Sequence, residues 1–533
     1  MTSATVQKFN KLPRPRMAPS GRVPNTWHFD VRYVAMEPPS HIMLLCQPES
    51  SYLHMERLPY GLGTRTSGIE FFPETAEQAA PVVVQAILQS FIKNLDAHTM
   101  GHDPNARPAT APWKLMTEEP ALARAVGEEM RRLGVRGAEL LSVSVSSKKI
   151  VDGAQEAFEG LFRMICPSEM VRTPHGIVFS AHKPRAYPPK DDDEPASAVL
   201  NYMQTRMNAK PPLTAEPPPA TEMIAKWGEV NEFLEKNSAS AVKTKADAGD
   251  PEASLDYALR NLNGYKCKPD RAVVYEYLVK TIKAPRATAE LKSTAHALLI
   301  DWHAGGRGDS LPIRYMLAAC HHAEHALEYA KGISPRGHNA SGAVLWFLMY
   351  KFKENAEKLV IPELLLHFKG CWAAVQARLA YLNKRDAKMD LKRMQQPNRY
   401  RCAAPGCGIM ADKGKMLQRC SGKCDTDKKP AYCSKACQLA DWKNHRPFCK
   451  PGMPCSVIDD YSDGGAGVSE SKDGAIGIRV PTGEGSRERL IMSSTMSAEE
   501  LKELREQALK DAQENGRPSR LGDKFTVDIG RLE

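Results

Sequence analysis

Eight side chains able to hold a soft metal ion fall between residues 402 and 449: Cys402, Cys407, Cys420, Cys424, Cys433, Cys437, His445 and Cys449. They form four pairs, C-x4-C, C-x3-C, C-x3-C and H-x3-C. Each pair can present two ligands from a tight turn or a single helical turn. Tetrahedral zinc takes four such ligands, so the eight fill two structural sites and leave no position open for a reactive water. That excludes catalytic zinc. A disulfide framework would need an oxidising compartment and would leave His445 without a role. A nucleophilic Cys/His pair would not require so many neighbouring thiols. Spacing alone leaves open which pairs share an ion, since four pairs can be coupled in three ways. Cys455 lies outside the pattern and reads as a free thiol.

The rest of the chain sets the conditions in which such sites would work. Its 533 residues provide for about three or four domains, and 42% hydrophobic with 26% charged residues is ordinary for a globular protein. Apolar runs such as "AVLWFLMY" (343–350) are far too short to span a membrane, so none is expected as a partner. Residues 1–25 carry no secretory signal and contain four prolines by residue 24, which predicts a flexible basic arm. The net charge of +10 is spread thinly over the length, unlike the dense stripe of a nucleic-acid binder. Cys46, Cys166, Cys267, Cys320 and Cys371 are scattered singly and read as buried thiols of a reducing compartment. An intracellular protein is expected, with nucleus and cytoplasm both open.

Upstream of the cluster the pattern changes twice, and the fold class expected is multidomain. Residues 26–182 mix strands ("WHFDVRYV", "HIMLLC", "GIEFF", "LLSVSVS", "GIVFSA") with helical spacings at 81–95, 118–134 and 151–165, predicting an α+β domain of unknown function. "WHFDVRYV" alternates like a half-buried strand. Residues 183–220 are proline-rich at both ends and read as a linker. Residues 221–396 read as an all-α domain. Residues 451–533 open with Gly, Ser, Asp and Pro and read as a mostly disordered tail with one helix near 498–513, announced by a Ser497/Glu500 capping box.

Two resemblances sharpen this reading. Within "AGDPEASLDYALRNLNGYKCKPDRAVVYEYLVKTI" (248–282), Ala248, Gly249, Ala253, Leu255, Gly264, Asp270, Ala272 and Tyr275 resemble the Sel1-like repeat, a relative of the tetratricopeptide repeat, with Lys266 replacing the second turn glycine. A degenerate copy runs from Ala295 through Gly306 to Tyr315; a plain helical bundle is the other reading. The run "YCSKACQLADWKNHRPFC" resembles the second half of a MYND-type zinc finger, and "C-x4-C…C-x3-C" its first half, placing the finger at 400–450. The first two pairs are wider than the family's usual C-x2-C.

The resemblance implies interleaved sites, with Cys402, Cys407, Cys433 and Cys437 on one zinc and Cys420, Cys424, His445 and Cys449 on the other. It also implies a protein-interaction module that grips proteins with proline-rich motifs, with Gln438 and Trp442 lining the groove. An indole face suits a preformed polyproline II segment. Trp442 reads equally well as part of the finger's core.

Three functions follow for comparison. The first is a non-enzymatic zinc-binding adaptor. The second is a SET/MYND-like protein methyltransferase, disfavoured because the SET signature Asn-His-Ser-Cys is missing and "GHNASG" (337–342) does not replace it. The third is a nucleic-acid-binding regulator using the basic finger, which carries eleven Lys/Arg against four Asp between 400 and 450. Two zinc-thiolate groups carry about −3 between them, so part of that excess offsets the clusters. The proline-rich stretch "PPLTAEPPPA" (211–220) is a candidate internal ligand for the groove.

Overall fold

Trp27, Phe29, Val31 and Tyr33 alternate with His28, Asp30 and Arg32 along β1 (Thr26–Val34), and both sets are buried. The alternation predicts a half-buried strand; the structure covers the polar face as well. The computed structural model describes residues 3–515 apart from 36–38, 51, 63–67, 97–107, 167–170, 182–194, 212–219, 306–311, 332, 334–339, 358–366, 414, 458–474 and 482–487. The chain divides into two compact units. One comprises Met1–Lys210, Glu235–Gly332 and Trp346–Cys371; the other comprises Pro211–Leu234, Ile333–Leu345 and Trp372–Glu533.

In the first unit β1 is the middle strand of five. β2 (Ser40–Gln47) and β3 (Tyr52–Leu58) lie to one side, β4 (Lys114–Thr117) and the short β5 (Ser144–Val145) to the other, in the order β3-β2-β1-β4-β5. β1 pairs antiparallel with β2 and parallel with β4. The apolar face of β1 packs with Met43 and Leu45 against α1 (Ser3–Asn10), α2 (Ala76–Ile92) and α3 (Pro120–Arg132).

The opposite face lies under α4 (Lys148–Ile165), whose Phe158 and Phe162 meet Ile42 and Leu44. Its charges are tolerated because they are paired. Arg32 donates to both oxygens of Asp30 at 2.9 and 2.6 Å and to Gln155 at 2.7 Å. Burial alone would raise the Asp30 carboxyl, but hydrogen bonds from His28 and Arg32 outweigh it and hold it low.

Several sequence expectations are corrected in this unit. The arm 1–25 is ordered over its described residues: Val6 and Phe9, one helical turn apart, bury into the sheet's core, and Asn25 donates to Ala111 at 2.9 Å. "GIEFF" and "GIVFSA" are not strands. Phe72 instead packs edge-on against Tyr315 at 4.9 Å, and Phe179 opens a helical turn. The proline-rich linker contains a helix, α5 (Pro195–Ala209), because Val199, Tyr202 and Met203 recur at helical spacing and bury. Its Tyr202 hydroxyl donates to Asp256 at 2.7 Å.

The helices that follow are α6 (Ala239–Asp247), α7 (Pro251–Asn263), α8 (Arg271–Lys283), α9 (Ala289–Ala304) and α10 (Ile313–Ala330), each packed on the next. Asp250 and Asp270 cap α7 and α8 with their carboxylates. Lys266, standing where the repeat family has glycine, takes φ 51°, so the backbone there keeps the left-handed turn. Gly306 of the degenerate copy lies outside the described residues. A buried ion pair joins this array to the α+β region: Arg271 donates to Glu74 at 2.8 Å, and Tyr315 donates to the same carboxylate at 2.9 Å.

The second unit holds the Cys/His cluster. Three two-residue strands, β6 (Met410–Ala411), β7 (Gln418–Arg419) and β8 (Ala431–Tyr432), precede α11 (Lys435–His445). The sequence expectation of a mostly disordered tail is corrected for its described residues. β9 (Ile476–Pro481) and β10 (Glu488–Ser493) form a hairpin that extends β6, and α12 (Ala498–Asn515) packs on β9. Ile478, Val480, Leu501, Leu504 and Ala508 share one core with Ile409, Ala411, Leu417 and the cysteines. A segment as short as the finger has little apolar surface of its own, and the downstream residues enlarge its core.

Candidate metal centre

Local hydrogen bonding draws the eight side chains together. Ser434 caps α11 by accepting from Cys437 N at 3.3 Å, so Cys433 stands just before the helix and Cys437 in its first turn. Cys402 N donates to Ile409 O at 2.9 Å, which closes the loop carrying Cys407. Cys420 N donates to Pro430 O at 2.9 Å and places the second loop beside the end of α11. Asn398 fastens that loop by donating to the carbonyls of Asp427 and Lys429 at 2.8 and 3.1 Å.

The result is two groups. In one, the sulfurs of Cys402, Cys407, Cys433 and Cys437 all lie within 4.8 Å of one another; in the other, Cys420, Cys424, His445 and Cys449 do. In the first group Cys407–Cys433, Cys433–Cys437 and Cys407–Cys437 are separated by 3.5, 3.5 and 3.7 Å. Tetrahedral zinc with a bond of about 2.3 Å to sulfur sets adjacent sulfurs about 3.8 Å apart. In the second group Cys420 and Cys449 are 3.8 Å apart, and Cys424 Sγ is 3.7 Å from His445 Nε2. The corresponding S···N edge around zinc is about 3.6 Å. Both groups fit a Zn²⁺ ion.

Electrostatics agrees with that fit. Hydrogen bonds from Cys402 and Cys433 push the Cys407 thiol down to about 2. Reciprocally, Cys402 is pushed up to about 12, chiefly by its contact with Cys407, and Cys433 higher still. Thiolates crowded this closely repel one another. A divalent cation removes that repulsion and allows the remaining protons to leave. Burial lowers His445, with Asp441 opposing, which favours the neutral imidazole that a metal requires.

Outer contacts hold the ligands in place. His445 presents Nε2 to the second group while Nδ1 lies 2.9 Å from Ser456 Oγ, the arrangement that fixes a ligand's tautomer. Gly422 N donates to Cys420 Sγ at 3.3 Å. Tyr432 donates to Asp441 at 2.9 Å, tying β8 to α11. Lys502 Nζ, from α12, stands 3.4 Å from Cys437 Sγ. Ligand spacing gives no hint of Ser456, Gly422, Asn398 or Lys502, since none of them is a ligand and Lys502 is 65 residues from its partner. None of the thirteen cysteines is in a disulfide.

Gln438 and Trp442 lie on α11. Gln438 is half-buried, and Trp442 is 41% exposed, with its ring edge-on to His445 at 6.2 Å. Leu439, between them, is 66% exposed. Residues 212–219 of the proline-rich stretch lie outside the described residues. No helix among the described residues is long and apolar enough to cross a membrane.

Residues 401–449 match the family model of the MYND finger, a zinc-binding domain of protein interaction. The match covers under a tenth of the chain and includes all eight Cys/His positions. Neither the curated proteins nor the solved structures contain a match to the chain.

Proposed function

We propose that this protein is a zinc-dependent adaptor whose finger grips proline-rich peptide segments of partner proteins. Cys402, Cys407, Cys433 and Cys437 ligate one ion, and Cys420, Cys424, His445 and Cys449 the other. Both are closed structural sites, so zinc supplies folding free energy and no reaction is routed through it. Gln438 and Trp442 form the groove.

The observation that carries this reading is the exposure of Trp442. An indole 41% accessible on a finger helix contributes less to the core than to a contact surface, and a large rigid aromatic is the side chain that most often anchors an interface. The helices of the middle region act as a repeat-like platform. The protein works in a reducing compartment, nuclear or cytoplasmic, where zinc thiolates persist.

The test is titration of the zinc-loaded full chain with a fluorescent proline-rich peptide. Trp442→Ala should weaken binding by about tenfold or more, the loss of one aromatic anchor. Its zinc content should stay at two per chain, because Trp442 holds no metal. Unchanged affinity in the variant would sink the groove assignment.

A further inference from the structure

The exposed face of α11 is banded. Lys435, Leu439, Trp442 and Arg446 recur at i, i+4, i+7 and i+11, a single helical stripe, and all four are exposed. Arg446 continues the stripe because its backbone remains helical at φ −49°, ψ −44°. Two apolar side chains therefore sit between two cations. Lys443 and Lys450, also exposed, add to the same sign. The helix has one carboxylate, Asp441, and it is buried against Tyr432 and Asn444. Neither Lys435 nor Arg446 is engaged in an ion pair among the described residues.

We propose that the finger selects peptides whose apolar, proline-containing centre is flanked by an acidic residue on each side. The inference rests on the peptide-groove reading above and specifies its ligand. Leu439 and Trp442 take the centre, and Lys435 and Arg446 take the two carboxylates. Eleven helical residues at about 1.5 Å each separate the cations by about 16 Å along the axis. A polyproline II segment advances about 3.1 Å per residue, so the two acids stand about five residues apart, with about four residues between them. Charge complementarity of this kind sets register and partner choice more than total affinity. It also works against basic proline-rich segments, which the stripe repels.

Three molecules decide it: an end-capped peptide with Pro-Leu-Pro-Pro between two glutamates, the same peptide with glutamines, and the zinc-loaded full chain. The glutamate peptide should bind about tenfold more tightly at low salt, the scale of two exposed ion pairs of good geometry, and the advantage should shrink as salt rises. The double variant Lys435→Gln/Arg446→Gln should bind both peptides equally, with two zinc ions retained as the check on folding. Trp442→Ala should lose both. Equal affinity of the two peptides for the unaltered protein, with both still lost in Trp442→Ala, overturns the acidic preference and leaves the peptide groove standing. Absence of saturable binding by either peptide overturns both.

Discussion

Lys502 Nζ stands 3.4 Å from Cys437 Sγ, so a cation from the last described helix faces the four-cysteine group of the finger. Burial pulls the ammonium down, but the Cys407, Cys433 and Cys437 sulfurs outweigh it and keep Lys502 charged. A zinc ion with four thiolates carries about −2, and a partly buried cation offsets part of that charge. The matched finger ends at residue 449, whereas this contact comes from well beyond it. Lys502→Met should therefore speed the loss of one zinc ion to a competing chelator and leave the other unchanged, while Lys502→Arg should behave like the parent. Identical release in all three proteins would show that the contact does not hold metal.

Among the described glycines of the finger, Gly422 is the least able to accept a side chain. A Cβ placed there would lie 2.2 Å from Cys449 Sγ and 3.3 Å from Cys420 Sγ, inside the space those sulfurs occupy. Gly422→Ala is expected to disrupt the second group alone, reducing zinc from two per chain to one. Elemental analysis after chelator dialysis reads the outcome directly. Two ions retained at unchanged affinity would mean that the loop yields.

Ser456 should act on the same ion through His445. Its hydroxyl orients His445 by the 2.9 Å contact to Nδ1. Ser456→Ala removes that contact without touching a ligand and should weaken one zinc by about tenfold or more, as such outer partners do elsewhere. Ser456→Thr keeps the hydroxyl and should retain most of the affinity. Equal losses in both variants would point to packing rather than orientation.

Legibility in the sequence follows from how local each feature is. The ligand spacings and the Ser497/Glu500 box are short-range, and Glu500 does accept from Ser497 N, at 2.6 Å. Helix starts at Asp250 and Asp270 are similarly local. What the sequence concealed depends on distant partners. The burial of His28, Asp30 and Arg32 requires α4 and Gln155 to cover them, 123 residues on for the Arg32–Gln155 contact. The hairpin and α12 looked like a tail because their apolar residues are few, and they become structural only by sharing the finger's core. α5 was hidden by prolines on either side of a single helical stripe. The 41% exposure of Trp442 was likewise hidden, because helical position alone does not give accessibility.

The last prediction concerns acid. His296 on α9 and His322 on α10 face each other with Nδ1 atoms 2.9 Å apart, and His321, His325, His303, Lys292 and Tyr329 close the cluster around them. One of the two facing nitrogens must donate and the other accept, so protonating both sets N–H against N–H. Burial first, then neighbouring positive charge, pushes His296 and His322 well below the ordinary histidine value, and His321 down to about 3. In the unfolded chain each recovers a value near 6.5. The unfolded state therefore binds more protons below that pH. Stability is complete above about 6.5 and is lost as pH falls from there toward about 3, at about 1.4 kcal/mol per pH unit for each histidine kept neutral. Thermal melts between pH 7.5 and 5 should show a steep fall in Tm, and His322→Gln, which cannot be protonated, should make it shallower. The same slope in the variant as in the parent would place the acid sensitivity elsewhere in the chain.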